Sequence, residues 1–173
     1  YWNIVNGYTQ SDEARLTRLR GALLAHDRDV LLGAVKIGLQ TRVGVDFSAR
    51  FVEVSEPTHV SQAFCSALSC GYTNVALEHW EPLATLVLDA AYEATLLAAL
   101  GSDASPPKVW LTFIGGGVFG NRMEWIAAAI GRALKRVEGF DLHVRIAHYR
   151  NIDEQLVDDV ERARGRVPHR MRA

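Results

Sequence analysis

A cluster of glycines is the feature of this sequence best suited to chemistry. Four glycines fall within six positions, namely Gly115, Gly116, Gly117 and Gly120. They follow the apolar stretch 109–114, which has the β-branched and aromatic residues of a strand, and they precede apolar residues at helical spacing. A glycine-rich turn between a strand and a helix N-terminus exposes backbone N–H groups that bind anions. We therefore expect a phosphate at residues 115–121.

Asp46 is the carboxylate that we expect to act on a bound ligand. It lies two residues after Gly44, in a loop that we place at the ligand-binding edge of the predicted sheet. A carboxylate there can stabilise positive charge at an anomeric carbon, orient a ribose hydroxyl or activate water. The alternative is an aspartate that caps a hairpin turn.

Alternating strand and helix patterns predict an α/β fold with a mostly parallel sheet and helices on both of its faces. We predict helices from Ser11 to about His26 and over 77–100, 123–137 and 153–164, and strands near 2–6, 34–39, 51–54, 59–68, 109–114 and 142–149. Ligands bind at the carboxyl ends of such strands. This places the candidate binding residues at Asn6, Gln40, Ser66, Gly115, Gly116, Gly117, Val118, Phe119, Gly120, Asn121 and Tyr149.

Length and composition are those of one globular domain, which we place at 1–165, followed by a basic tail at 166–173. The net charge of −1 argues against general nucleic-acid binding. The two cysteines are too few for a disulfide scaffold, so we expect a reducing, cytoplasmic compartment. No uninterrupted apolar run suggests a membrane partner, the histidines lack metal-ligand spacing, and we expect a monomer.

The glycine spacing also matches a dinucleotide-binding fingerprint, Gly115-x-Gly117-x-x-Gly120. That fingerprint belongs to the first strand–helix turn of its fold, whereas several elements precede it here. Its partner acid, about 20 residues later, is also missing, because the next strand ends in Ala147-His-Tyr-Arg150. A nicotinamide-dependent enzyme of the Rossmann type is therefore our third choice.

Several motifs together resemble the macrodomain family. They are Ile4-Val-Asn6, Ala63-Phe-Cys-Ser-Ala67, Leu88-Asp-Ala-Ala-Tyr-Glu-Ala-Thr95 and Gly115-Gly-Gly-Val-Phe-Gly-Asn121. They occur along an order of long helix, Pro/Gly linker, buried strand, glycine loop, helix and strand that is similar to the second half of that fold. The resemblance covers roughly residues 1–150 and is nearest to the divergent MavL-like branch of the family. It implies a three-layer α/β/α fold.

The resemblance implies that the glycine loop wraps the diphosphate of ADP-ribose and that Phe119 lies against a ribose. The alternative for Phe119 is a core aromatic that anchors the loop. Tyr149 can stack on adenine or lie at the rim, and Asn121 can donate to phosphate or cap the following helix. The MavL-like branch implies hydrolysis of ADP-ribose from arginine of an ADP-ribosylated protein, with no cofactor. The alternative is a module that binds ADP-ribose without cleaving it.

Overall fold

The computed structural model describes residues 1–45 and 58–167, which form a mixed α/β structure. Within these residues the helices are α1 Glu13–Leu24, α2 Arg28–Ala34, α3 Leu77–Leu100, α4 Met123–Arg136 and α5 Glu154–Ala163. The strands are β1 Asn3–Val5, β2 Tyr8–Gln10, β3 Gly38–Val45, β4 Thr58–Phe64, β5 Lys108–Leu111 and β6 His143–Ile146. A short 3₁₀ helix, Cys70–Tyr72, precedes α3.

Helix α3 forms the centre of the hydrophobic core. Its side chains Trp80, Leu88 and Leu96 are completely buried, and it packs against both α1 and α4. Helix α5 covers the other side of α4, where the two helices cross closely at Gly131. A Cβ atom on Gly131 would lie 2.5 Å from the carbonyl oxygen of Val160, so this crossing requires glycine. The predicted boundaries of α1, α3, α4 and α5 are confirmed to within about two residues.

By length and composition alone, α3 is apolar enough to cross a membrane, with a mean hydropathy of 1.6. Half of that stretch is buried inside the described structure, as happens in a core helix. The apolar stretch is also interrupted by two acids, of which Asp89 is buried and Glu93 is partly buried.

Asp89 and Glu93 connect three helices through ion pairs. Arg28 of α2 lies 2.5 Å from the Asp89 carboxylate, and Arg132 of α4 lies 3.2 Å from it. Arg132 and Arg136 also approach Glu93, at 3.6 and 3.4 Å. The Glu93 side chain is only 14% exposed. Burial is tolerated here because opposite charges accompany both carboxylates.

The sheet differs from the prediction of one mostly parallel sheet. In the described residues the strands form three separate pairs: β1–β2 and β3–β4 are antiparallel, and β5–β6 is parallel. The β1–β2 turn, Asn6–Gly7, has positive φ angles of 51° and 83°. Two left-handed residues favour a tight hairpin of two residues, so the chain turns straight back instead of crossing over to a parallel neighbour.

The region between α1 and β4 was predicted least well. We expected a strand at 34–39, but α2 extends to Ala34 and strand β3 runs instead over Gly38–Val45. Helix α2 starts at Arg28 because the Asp27 side chain accepts the N–H groups of Asp29 and Val30. We expected a buried strand near 59–68, but β4 is exposed along most of its length. The predicted strand at 51–54 lies outside the described residues.

The β5–β6 pair has one covered face and one bare face. Val109 and Leu111 point into the core, whereas Trp110 is 63% exposed and stacks under the Arg145 guanidinium at 5.0 Å. Helices on both faces were predicted, but in the part of the chain that the structure describes only one face carries them. The β5–β6 pair is the one described pair with the parallel direction that was predicted for most of the sheet.

The predicted basic tail begins in an ordered region. Arg166 pairs with Glu138 at 2.6 Å, and this hydrogen bond is the main cause that lowers the Glu138 pKa. Residues 168–173 lie outside the described part of the chain.

Candidate functional site

The parallel pairing of β5 and β6 brings two of the predicted segments to one edge. Leu111 pairs with Ile146, and the Ala147 N–H donates to the Leu111 carbonyl at 2.8 Å. The glycine loop follows β5 at this edge, and His148 and Tyr149 follow β6. The rings of Phe113 and His148 meet at 5.1 Å, which joins the two segments.

Tyr92 of α3 holds the start of the glycine loop. Its hydroxyl donates to the Thr112 carbonyl at 2.7 Å and accepts the Ile114 N–H at 3.0 Å. Burial raises the pKa of Tyr92, so the hydroxyl keeps its proton and both bonds persist at neutral pH. The backbone that enters the loop is therefore fixed to the core helix.

Asn121 holds the end of the loop. Its side chain is 4% exposed, and its Nδ2 donates to the carbonyls of Leu68 at 2.8 Å and Gly115 at 3.2 Å. The Asn121 N–H also donates to the Gly115 carbonyl at 3.0 Å, which closes the loop on itself. Asn121 does not cap α4, because Arg122 stands at the N-cap and makes no side-chain capping bond. The structure thus gives Asn121 a positioning role inside the loop.

The first two glycines of the loop are required by packing. A Cβ atom on Gly115 would lie 2.3 Å from the Ala67 Cβ, and its φ of +78° is unfavourable for other residues. A Cβ atom on Gly116 would lie 2.7 Å from the Met123 sulfur. Neither glycine therefore needs a ligand to explain it.

Gly120 is required by a contact with the short 3₁₀ helix. Its φ is +70°, and an added Cβ atom would lie 3.1 Å from the Gly71 backbone. A Cβ atom on Gly71 would in turn lie 2.6 Å from the Val118 carbonyl oxygen. The Gly71 N–H donates to the Phe119 carbonyl at 2.8 Å. The two segments thus touch backbone to backbone.

Gly117 is the exception among the four glycines. Its φ is not left-handed, and an added Cβ atom would meet nothing within 4 Å. Within the described residues, the N–H groups of Gly117, Val118 and Phe119 have no hydrogen-bond acceptor. These three unpaired donors precede α4, whose N-terminus has no side-chain cap. Unpaired backbone N–H groups ahead of a helix N-terminus are groups that can bind an oxyanion.

The arginine at the N-terminus of α4 is already paired. Arg122 at the α4 N-cap binds Glu78 in the first turn of α3 and lies 5.4 Å from the Trp125 ring. A backbone hydrogen bond, and then the hydrogen bond from Arg122, lower the Glu78 pKa. Glu78 thus belongs to an exposed ion pair between two helix N-termini.

Of the other predicted site residues, Ser66 and Tyr149 lie near the glycine loop or at its sheet edge, whereas Asn6 lies in the β1–β2 turn. Ser66 is exposed and donates to the Ala67 carbonyl at 3.0 Å, so it lies one residue from the contact with Gly115. Tyr149 is 86% exposed at the shared sheet edge, with the Arg150 guanidinium 5.1 Å from its ring. Asn6 lies in the hairpin turn rather than at the end of a parallel strand.

Gln40 and Asp46 belong to the β3–β4 arm and its connection. Gln40 is exposed and pairs with Gln62, next to a bulge in which Arg42 has a φ of 55°. Asp46 lies outside the described residues. Val45, just before it, pairs with Thr58 at one end of the arm. Phe64 lies at the other end, about 20 Å away along the strand.

Two tyrosines near the loop were missed by the sequence reasoning. Tyr8 stacks on Tyr72 with ring centroids 4.5 Å apart, and both rings lie edge-on to Phe119 at 6.1 and 5.9 Å. The Asn6–Gly7 pair is the signal that could have found Tyr8, because it predicts a hairpin that folds Tyr8 back. Both alternatives for Phe119 stay open, since its ring anchors the loop and remains half exposed.

The cysteine, histidine and acidic side chains of the described residues form no further candidate metal or nucleophile site. Burial raises the pKa of the Cys70 thiol to about 11, so it is protonated and unreactive at neutral pH. Cys65 and Cys70 are both free thiols. Among residues 1–45 and 58–167, no group of three or more His, Cys, Asp or Glu side chains is placed to bind a metal ion.

Comparison of the chain with protein-family models, with curated proteins and with solved structures finds no match.

We predict that Gly115→Ala destabilises the protein by about 2 kcal/mol or more, because the methyl group meets Ala67 and the left-handed backbone opposes a side chain. Gly117→Ala is the matched control and should change the free energy of unfolding by less than about 0.5 kcal/mol. Urea denaturation measures both. Equal losses for the two variants would contradict the assigned roles.

Proposed function

We propose that the chain binds ADP-ribose through its glycine loop and hydrolyses the bond between ADP-ribose and arginine in modified proteins. The observation that carries the binding part is the set of free N–H groups at Gly117, Val118 and Phe119. A Cβ atom on Gly117 would meet nothing within 4 Å, so the space beside this residue is open. Donors fixed by the surrounding backbone bind an anion without a further ordering cost.

A diphosphate suits this loop because its unpaired N–H groups are consecutive and part of its acceptor capacity is used inside the protein. Asn121 and Gly71 donate to the carbonyls of Gly115 and Phe119, and the Gly120 N–H donates to the Gly117 carbonyl. Tyr149 lies at the same sheet edge with an exposed ring, which supports a role in stacking on adenine. Ser66, one residue from the contact with Gly115, is our candidate partner for a ribose hydroxyl.

The proposal also covers the fold, the partner and the cellular compartment. It assigns the chain to a macrodomain-like α/β/α arrangement, in which β5, the glycine loop, α4 and β6 form the phosphate-binding unit. The partner is an ADP-ribosylated protein, and neither a cofactor nor nucleic acid takes part. A cytoplasmic monomer without a membrane partner remains our expectation.

The proposed hydrolysis breaks the bond between the anomeric carbon and a guanidine nitrogen. The water oxygen bonds to the anomeric carbon as the carbon–nitrogen bond breaks. One water proton goes to the Asp46 carboxylate and the other stays on the new hydroxyl. The proton on Asp46 then passes to the departing guanidine, which leaves as the arginine guanidinium. The carboxylate also stabilises the positive charge that develops on the sugar. Gln40, which precedes the bulge on the same arm, is our candidate for orienting the ribose.

Binding without hydrolysis is the second candidate function. The proposed phosphate site is formed entirely by the fixed loop between β5 and α4. The proposed catalytic acid, Asp46, follows β3. Strand β3 ends at Val45, which pairs with Thr58 at the end of the β3–β4 arm that is farther from Phe64. This separation favours a module that holds ADP-ribose and does not cleave it.

We predict that Gly117→Glu abolishes ADP-ribose binding, because the added carboxylate fills the open space and repels the phosphates. Gly117→Gln, which has the same size without the charge, should retain weakened binding. Isothermal titration calorimetry measures both affinities. Normal ADP-ribose affinity in the glutamate variant would show that the anion binds elsewhere.

We predict that Asp46→Ala abolishes release of ADP-ribose from an arginine-linked substrate while ADP-ribose affinity stays within about tenfold, or about 1.4 kcal/mol. The loop that binds phosphate is unchanged in this variant, whereas the base is lost. Turnover of ADP-ribosylated protein, followed by chromatography, is the measurement. An unchanged rate would remove Asp46 from the mechanism, and no turnover by the parent chain would favour the binding module.

A further inference from the structure

An aromatic cluster made of Tyr8, Tyr72 and Phe119 lies directly beside the glycine loop. Tyr8 and Tyr72 are nearly parallel, at 11°, and Phe119 is close to perpendicular to both, at 88° and 81°. Tyr8 is 36% exposed and Tyr72 is 44% exposed, so the stacked pair retains ring surface that faces solvent. Phe119 belongs both to this cluster and to the loop with the free N–H groups.

Three segments of the chain fix the cluster in place. The Ser69 hydroxyl accepts the Thr9 N–H at 2.9 Å and donates to the Thr9 carbonyl at 3.2 Å, which attaches the β1–β2 hairpin. The Gly71 N–H donates to the Phe119 carbonyl at 2.8 Å, which attaches the glycine loop. The rings are therefore held in one arrangement before any ligand arrives.

In the described part of the chain, arginine guanidinium groups lie 5.0 to 5.4 Å from the rings of Trp110, Trp125 and Tyr149, but none lies over Tyr8 or Tyr72. Desolvation, and next the neighbouring Tyr8 phenol, raise the pKa of Tyr72 above its ordinary value. Uncharged, electron-rich ring faces without a bound cation are thus present beside an anion site.

We propose that Tyr8 and Tyr72 bind the guanidinium group of an arginine that carries ADP-ribose. This inference rests on the proposed function. A planar guanidinium stacks favourably on an aromatic face, and the substrate of the proposed reaction joins this cation to a diphosphate. The free N–H groups of the loop hold the anionic part, and the tyrosine pair holds the cationic part.

This arrangement makes the tyrosine pair a determinant of linkage specificity. ADP-ribose attached to an acidic or hydroxyl side chain has no cation to place on the rings. Arginine-linked substrates gain the stacking energy, and free ADP-ribose, the product, does not. The pair therefore favours substrate over product without touching the phosphates.

The test compares two ligands, ADP-ribose and ADP-ribosyl-agmatine, by calorimetry on the full chain with Asp46→Ala, and checks afterwards that the second ligand is intact. We expect ADP-ribosyl-agmatine to bind about three- to tenfold more tightly than ADP-ribose. Tyr72→Leu should abolish this difference and leave ADP-ribose affinity within about twofold. Tyr72→Phe, the matched control, should keep the difference because the ring remains. Tyr8→Leu, a second variant, should reduce it.

The outcomes distinguish a failure of this inference from a failure of the proposed function. If Tyr72→Leu weakens both ligands equally, the rings contact a shared part of the ligand such as the base, and the guanidinium assignment is wrong. If neither tyrosine variant changes either affinity, the cluster is purely structural. If the parent chain binds neither ligand, the proposed function itself fails, and the assignment fails with it.

Discussion

The buried amide of Asn121 is the interaction on which the arrangement of the candidate site depends. It donates to Leu68 on one side and to Gly115 on the other, so it joins the segment before the 3₁₀ helix to the glycine loop. Because Ser69 ends that segment and Tyr72 ends the 3₁₀ helix that follows it, the β1–β2 hairpin and the aromatic cluster are positioned by the same contact. A loop held in this way can keep its shape although the N–H groups of Gly117, Val118 and Phe119 have no acceptor among the described residues.

The glycines of the loop illustrate why sequence pattern and function are easily confused. Four glycines within six positions suggested a surface left bare for a ligand. In the structure, Gly115, Gly116 and Gly120 are explained by contacts inside the protein. Only Gly117 faces open space, so the anion-binding argument depends on one residue and its neighbouring amides. A glycine count cannot distinguish these cases, because it does not show which Cβ positions are occupied by neighbours.

The helices were predictable because their signals are local. Apolar residues at helical spacing defined α3 and α4, and capping aspartates at Asp12 and Asp153 fixed the starts of α1 and α5. The sheet was not predictable in the same way, because pairing depends on partners distant in the sequence. Asn6–Gly7 was interpreted as the end of a strand rather than as a hairpin turn. Tyr8 and Tyr72 meet across 64 positions, and no local pattern announces such a contact.

The central claim is that the amides at 117–119 bind the diphosphate of ADP-ribose in preference to a dinucleotide cofactor. The most direct measurement is a nuclear magnetic resonance titration of the ¹⁵N-labelled chain with ADP-ribose and, separately, with NAD. The account predicts that the amide resonances of Gly117, Val118 and Phe119 shift first and that ADP-ribose saturates at the lower concentration. Tighter binding of NAD, or shifts that leave these three amides unchanged, would contradict it.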